Sequence, residues 1–155
     1  MRRMNNRMEV TFPSLPENEA LARMAISAFL VLVDPAVSVV SEVRTAVSEA
    51  VTNAVVHAYA EAEGEIALRA RLQDDRLLVE VEDFGCGIED VPRAMRPFFT
   101  TRPDEERTGM GFALMQSFMD AVHVVSQPGR GTRVTMEKRL SSQAGEEEAC
   151  DRAAL

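Results

Sequence analysis

VSEAVTNAVVHAYA, residues 47–60, is rich in alanine and valine and reads at first as the buried helix of a small domain. Three polar side chains interrupt it at four-residue intervals: Glu49, Asn53 and His57. At 100° per residue they share an arc of roughly 80°. Val43, Val47, Val51, Ala54, Val55 and Ala58 fill a neighbouring arc. The helix therefore has a core stripe with a polar stripe beside it. A solvated edge would account for the spacing but not for the residue types. Asparagine is a poor helix former, and a carboxylate with a carboxamide supplies the oxygen ligands that Mg²⁺ accepts.

Outward from that helix the chain alternates helical and extended patterns. Met8, Val10 and Phe12 alternate as a short strand. SLPENEALARMAISAFLVLVD has Pro16 near a helix start and helical apolar spacing through Leu21, Met24, Ala25, Ala28 and Leu32, and Asp34-Pro35 ends it. The helix of the opening stretch then runs to about Tyr59. Ile66-Leu68-Ala70-Leu72 and Leu77-Val79-Val81 make a hairpin around Asp74-Asp75. A short helix is predicted near 90–96, then a long, charged, aperiodic run over 97–111 whose length suggests a functional loop. FALMQSFMDAV, from Phe112, has helical spacing, and HVVSQPGRGTRVTMEKRL closes as two strands around a Pro-Gly-Arg-Gly turn. The predicted class is α+β, with helices in one layer and a mostly antiparallel sheet in the other. Residues 1–140 are expected to form one domain, and 141–155 an acidic, disordered tail.

Composition narrows the function. Seventeen basic against twenty-five acidic side chains leave a net charge of −8, which argues against direct DNA binding. Two cysteines, Cys86 and Cys150, cannot build a disulfide framework. The basic start leads into MEVTF rather than an apolar run, and MAISAFLVLV is too short to span a bilayer. The expected location is the cytoplasm.

Two glycine motifs follow the helix. Asp83-Phe-Gly85-Cys-Gly87 sits directly after a strand, where glycines admit a flat ligand and Asp83 can accept from an amino group. Gly109-Met110-Gly111 ends the long loop and opens a helix, whose free amides form an anion site. Neither is a dinucleotide fingerprint or a P-loop.

The order of elements is more specific than any one of them: Glu-x3-Asn on a helix, DxGxG after a strand, a long loop, GxG opening a helix, then Gly129-Arg-Gly131-Thr132 before a strand. Over residues 8–140 this order resembles the GHKL family of ATP-binding domains, with their two-layer Bergerat sandwich of helices and a mixed, mostly antiparallel sheet. VSEAVTNAVVHAY, PFFTTRPDEERTGMGFALMQSFMD and ENEALAR are similar to the anti-sigma F (SpoIIAB-type) branch.

The resemblance implies a homodimeric protein-serine/threonine kinase. It would hold a sporulation sigma factor of the sigma F type and phosphorylate an anti-anti-sigma factor, a STAS-domain protein. Carried over residue by residue, it makes Asn53 the Mg²⁺ ligand and Glu49 the group that orients or deprotonates the attacking serine. An ordinary glutamate titrates at about 4.3 and is ionised near neutrality. Arg107 would neutralise charge on the transferring phosphoryl group. Asp83 and Thr132 would read adenine, Gly85 and Gly87 line the base, and Thr100, Thr101, Thr108, Gly109, Met110 and Gly111 meet ATP or ADP phosphates. Arg23 would contact a partner. Gly87 and FTTRPDEER separate the chain from the general-stress (RsbW-type) kinases. A histidine kinase would need a phosphoacceptor helix pair before residue 8, and a gyrase- or MutL-type clamp a transducer after 140. The other alternative is an anti-sigma module without kinase activity, against which Glu49, Asn53, Asp83 and the glycine pairs speak.

Overall fold

Strict alternation over short runs and helical spacing over long ones give one sheet covered on one face by helices. The structure is a computed structural model that describes residues 1–59, 62–96 and 111–141. In order, β1 (Asn6–Pro13), α1 (Asn18–Val31), α2 (Val37–Asn53), β2 (Glu65–Gln73), β3 (Arg76–Asp83), α3 (Val91–Ala94), α4 (Gly111–Phe118), β4 (Ala121–Gln127) and β5 (Gly131–Arg139) are formed. The strands lie in the order β1-β2-β3-β5-β4. Every pairing is antiparallel, where the sequence suggested a mixed sheet.

Met8, Val10, Phe12, Ile66, Leu68, Leu77, Val79, Val81, Val134 and Met136 point to the helices, where Val43, Val47 and Val51 of α2 are fully buried against them. Each such side chain stabilises the fold by about 1.5–3 kcal/mol. The opposite face stays open and is kept solvated by charge. Arg69 lies 3.1 Å from Glu9, 3.9 Å from Glu80 and 2.9 Å from Glu82 across three strands. Asp34, in a left-handed conformation (φ 51°) before Pro35, separates α1 from α2. Lys138 reaches in from β5, pairing with Glu42 of α2 at 2.7 Å and donating to the Phe118 carbonyl at the end of α4 at 2.5 Å. It ties together the two helices that wall the site described below.

Three local expectations are corrected. The buried face of α1 is Ala22, Ile26, Phe29 and Leu30, whereas Leu21, Met24, Ala28 and Leu32 are exposed. This helix is apolar on two faces, so periodicity alone could not say which one meets the sheet. The α-helical pattern of α2 stops at Asn53, and Ala54–Ala58 forms a wider π turn. Finally, α4 ends at Phe118 rather than continuing through Val122. At Asp120 the chain already pairs with β5: its N–H donates to the Glu137 carbonyl and its carboxylate accepts from the Arg139 N–H. Backbone pairing to the sheet edge wins over helical propensity there. The tail from residue 142 lies outside the described residues.

Candidate functional site

Two clusters of the sequence-predicted residues come together at one end of the helix layer. The first is set by α2 and α4. A Cβ placed on Gly111 would lie 3.2 Å from Glu49 Oε2, 3.2 Å from Asn53 Nδ2 and 3.3 Å from Asn53 Oδ1. The first residue of α4 thus abuts both polar side chains of the α2 row. A helix N-terminus offers unpaired amides and a partial positive charge, and here it faces a carboxylate and a carboxamide oxygen. Phosphate oxygens match the amides, and a hard cation carried by them matches the two side-chain oxygens. Among the described residues no group of three or more His, Cys, Asp or Glu side chains gathers as a self-sufficient metal centre. That donor set suits Mg²⁺, which takes few protein ligands and completes its shell with phosphate and water.

His57 falls in the π turn over Ala54–Ala58. Its carbonyl accepts the Cys86 thiol at 3.1 Å.

The second cluster is built by sheet register. Phe12, Ile66, Asp83, Thr132 and Ser126 are successive partners across all five strands, on the helix-facing side. Asp83 is the one buried charged residue among those described, 7% exposed, between core Phe12 and Ile66 on one side and half-buried Thr132 and Ser126 on the other. Its Oδ1 accepts from the Gly85 N–H at 3.1 Å and the Thr132 N–H at 3.3 Å. Both bonds fall on one oxygen, which leaves Oδ2 to accept from a ligand. Burial raises the carboxyl above its ordinary value, opposed by those two amide bonds.

The loop after Asp83 is stitched on both sides. The Cys86 N–H donates to the Ala58 carbonyl at 2.9 Å, and Gly129 N–H donates to the Cys86 carbonyl at 2.8 Å. The Tyr59 hydroxyl donates to the Glu65 carbonyl and accepts the Phe84 N–H. Glycine is required at two points. A Cβ on Gly85 would sit 2.1 Å from the Ala58 carbonyl oxygen, and Gly87 has φ 74° with the Gln127 carbonyl oxygen 2.3 Å from where a Cβ would be. Any side chain at either position would push the loop off its anchors.

Arg23 is not part of either cluster. It lies on α1, its Nε 3.0 Å from Glu19, off-angle for a hydrogen bond; the same Glu19 oxygen accepts the Ser48 hydroxyl. Thr100, Thr101, Arg107, Thr108, Gly109 and Met110 lie outside the described residues. Sequence reasoning missed Tyr59 and Ser126. The signal for Ser126 was its place in the alternation Val122-Val124-Ser126, which sets a hydroxyl on the core-facing side of an edge strand.

The model of the histidine kinase-like ATPase domain matches residues 12–138. The anti-sigma F factor of Caldanaerobacter subterraneus subsp. tengcongensis is 51% identical over 136 residues, covering 88% of this chain and 95% of that protein. That of Pasteuria penetrans is 48% identical over 139 residues, covering 88% and 93%. Among solved structures, the RsbU and RsbW domains of a Mycobacterium tuberculosis protein superpose with a TM-score of 0.66 at 21% identity, over 88% of this chain and 33% of that one. A blue-light activated histidine kinase of Erythrobacter litoralis gives 0.54 at 30% identity, over 73% and 34%.

Proposed function

The chain belongs to the histidine kinase-like ATPase family, with close relatives named anti-sigma F factors, and we propose that it works as such a factor, holding a sigma factor of the sigma F type and acting as an ATP-dependent serine kinase on an anti-anti-sigma protein. The observation that carries the reading is the approach of Gly111 to Glu49 and Asn53. It supports a phosphate site with a base and a metal ligand in contact with the helix that receives the phosphates.

In this reading Asp83 accepts the adenine amine through Oδ2, and the α4 amides take phosphate oxygens. Asn53 is the residue that would hold Mg²⁺, which when bound supplies charge neutralisation to the phosphates. Glu49 orients the partner's serine hydroxyl and takes its proton as Oγ bonds to the γ-phosphorus and the bond to ADP breaks. The transfer needs positioning and charge more than covalent chemistry. Arg107 and Thr100, Thr101 and Thr108 are assigned to the phosphate side of the same site.

The exposed apolar side chains Leu21, Met24 and Val31 of α1 and Leu32 just after it support a homodimer. A two-fold pair buries the same patch on each chain. None of the helices among the described residues is long and apolar enough to cross a membrane; a cytoplasmic location belongs to the same proposal. The test is size-exclusion chromatography of the purified chain with a sigma F-type factor and Mg-ATP. Co-elution that depends on nucleotide supports the reading, and separate elution at micromolar concentrations contradicts it.

A further inference from the structure

We propose that Ser126 is a specificity-determining residue that acts through Thr132, fixing which way the Thr132 hydroxyl points its proton and so which base the pocket accepts. The inference rests on the nucleotide reading of the site above. Ser126 Oγ accepts the Ile88 N–H at 2.7 Å, lies 3.1 Å from the Gly131 carbonyl oxygen and 2.8 Å from Thr132 Oγ1. A hydroxyl has one proton to give and two lone pairs to fill. The Gly131 carbonyl can only accept, whereas Thr132 Oγ1 can do either.

One arrangement satisfies every member. Ser126 donates to Gly131, and its two lone pairs take the Ile88 N–H and the Thr132 O–H. The reverse direction leaves the carbonyl contact without a proton and one Ser126 lone pair without a donor, which half-buried polar groups avoid. Thr132, having given its proton to Ser126, presents only lone pairs on its other side.

Thr132 stands beside Asp83 in the same cross-strand row. The floor of the pocket is then two acceptors side by side: Asp83 Oδ2 and Thr132 Oγ1. An exocyclic amine carries donors to meet them. A carbonyl at the same place meets like with like, and leaving buried acceptors unpaired is the strong form of discrimination. The pocket thereby rejects 6-oxopurines without any bulky side chain. Removing the Ser126 hydroxyl frees the Thr132 proton to turn inward and donate to such a carbonyl.

The probes are ADP and IDP, which differ in the amine against the carbonyl, titrated by calorimetry into the full chain with Mg²⁺. For Ser126→Ala the ADP/IDP affinity ratio should fall roughly tenfold, the size of one neutral hydrogen bond gained or lost. Ser126→Thr, which keeps the hydroxyl, should restore the wild-type ratio. Should Ser126→Ala fail to fold, Ser126→Cys keeps the volume with a poor donor, and its ratio should fall between the other two. A purely structural role would weaken both nucleotides equally; an unchanged ratio in the Ala and Cys variants overturns the proposal. A wild-type chain that binds neither nucleotide overturns the nucleotide reading itself.

Discussion

Asp83→Asn separates the two things a buried carboxylate does in this fold. Asparagine keeps an Oδ1 to accept the Gly85 and Thr132 amides at 3.1 and 3.3 Å, so the loop anchors survive. Oδ2 becomes an NH₂ that points a donor at the adenine amine. The loss is one charge-assisted bond, about 1.5–3 kcal/mol, or roughly a 10- to 150-fold weaker Kd for ADP. Stability moves the other way. Burial raises the Asp83 carboxyl above its ordinary value. Between the ordinary and the raised value the folded chain keeps a proton that the unfolded chain has released, so stability falls as pH rises through that window. Above it the folded state carries the full cost of a buried charge, which asparagine removes. Without nucleotide, Asp83→Asn should therefore melt above the wild type at neutral pH. With ADP at about 100 times the wild-type Kd, the wild type should gain about 2.7 kcal/mol and overtake it. Calorimetry and thermal melts with and without ADP read both effects. Unchanged ADP affinity would remove Asp83 from the base site, and a lower melting temperature without nucleotide would refute the desolvation argument.

Glu49→Gln should leave ADP affinity within a few-fold and slow phosphorylation of the anti-anti-sigma partner by about 10²–10⁴-fold, read by single-turnover transfer. Arg107→Ala should shrink the difference in sigma-factor affinity between an ATP analogue and ADP. That difference is expected to be about 5- to 150-fold in the wild type, and equal affinities would leave residues 97–108 without a switching role. Lys138→Ala removes the tie between α2 and α4 and leaves the Phe118 carbonyl without its donor, a loss of about 1–3 kcal/mol seen in a denaturant midpoint with unchanged slope. The Ser141 hydroxyl and Arg139 hold Asp75 at about 2. Its contribution is present above the ordinary carboxylate value and fades as pH falls from 3.8 towards 2; Asp75→Asn should flatten the acid limb of the stability profile in that range.

How much of this was legible depended on whether local chemistry or tertiary pairing decides the outcome. The strands of the β2–β3 hairpin, the break at Asp34-Pro35 and the Glu49–Asn53 pair are written in spacing and turn residues. The inward face of α1 is not, because its two apolar faces compete and only the sheet chooses between them. The π turn at Ala54–Ala58 is equally invisible in composition: its anchors are Cys86 and Tyr59 bonds made to residues 25 or more positions away or across a loop. Asp83 and the glycines were legible as a motif. The row that sets Asp83 beside Thr132 and Ser126 exists only once β5 has inserted between β3 and β4. Hydrophobic alternation shows that Ser126 faces inward but does not say which polar atoms await it.

Transfer of a phosphate from ATP to a serine of a partner protein is the activity we propose for this site. The most direct measurement is mass spectrometry of an anti-anti-sigma protein after incubation with the purified chain, Mg²⁺ and ATP. The expected result is a single phosphate on one serine, formed at a rate that collapses in Glu49→Gln. An unmodified partner after many turnover times, from a wild-type chain that demonstrably binds ATP, would contradict a kinase activity at this site.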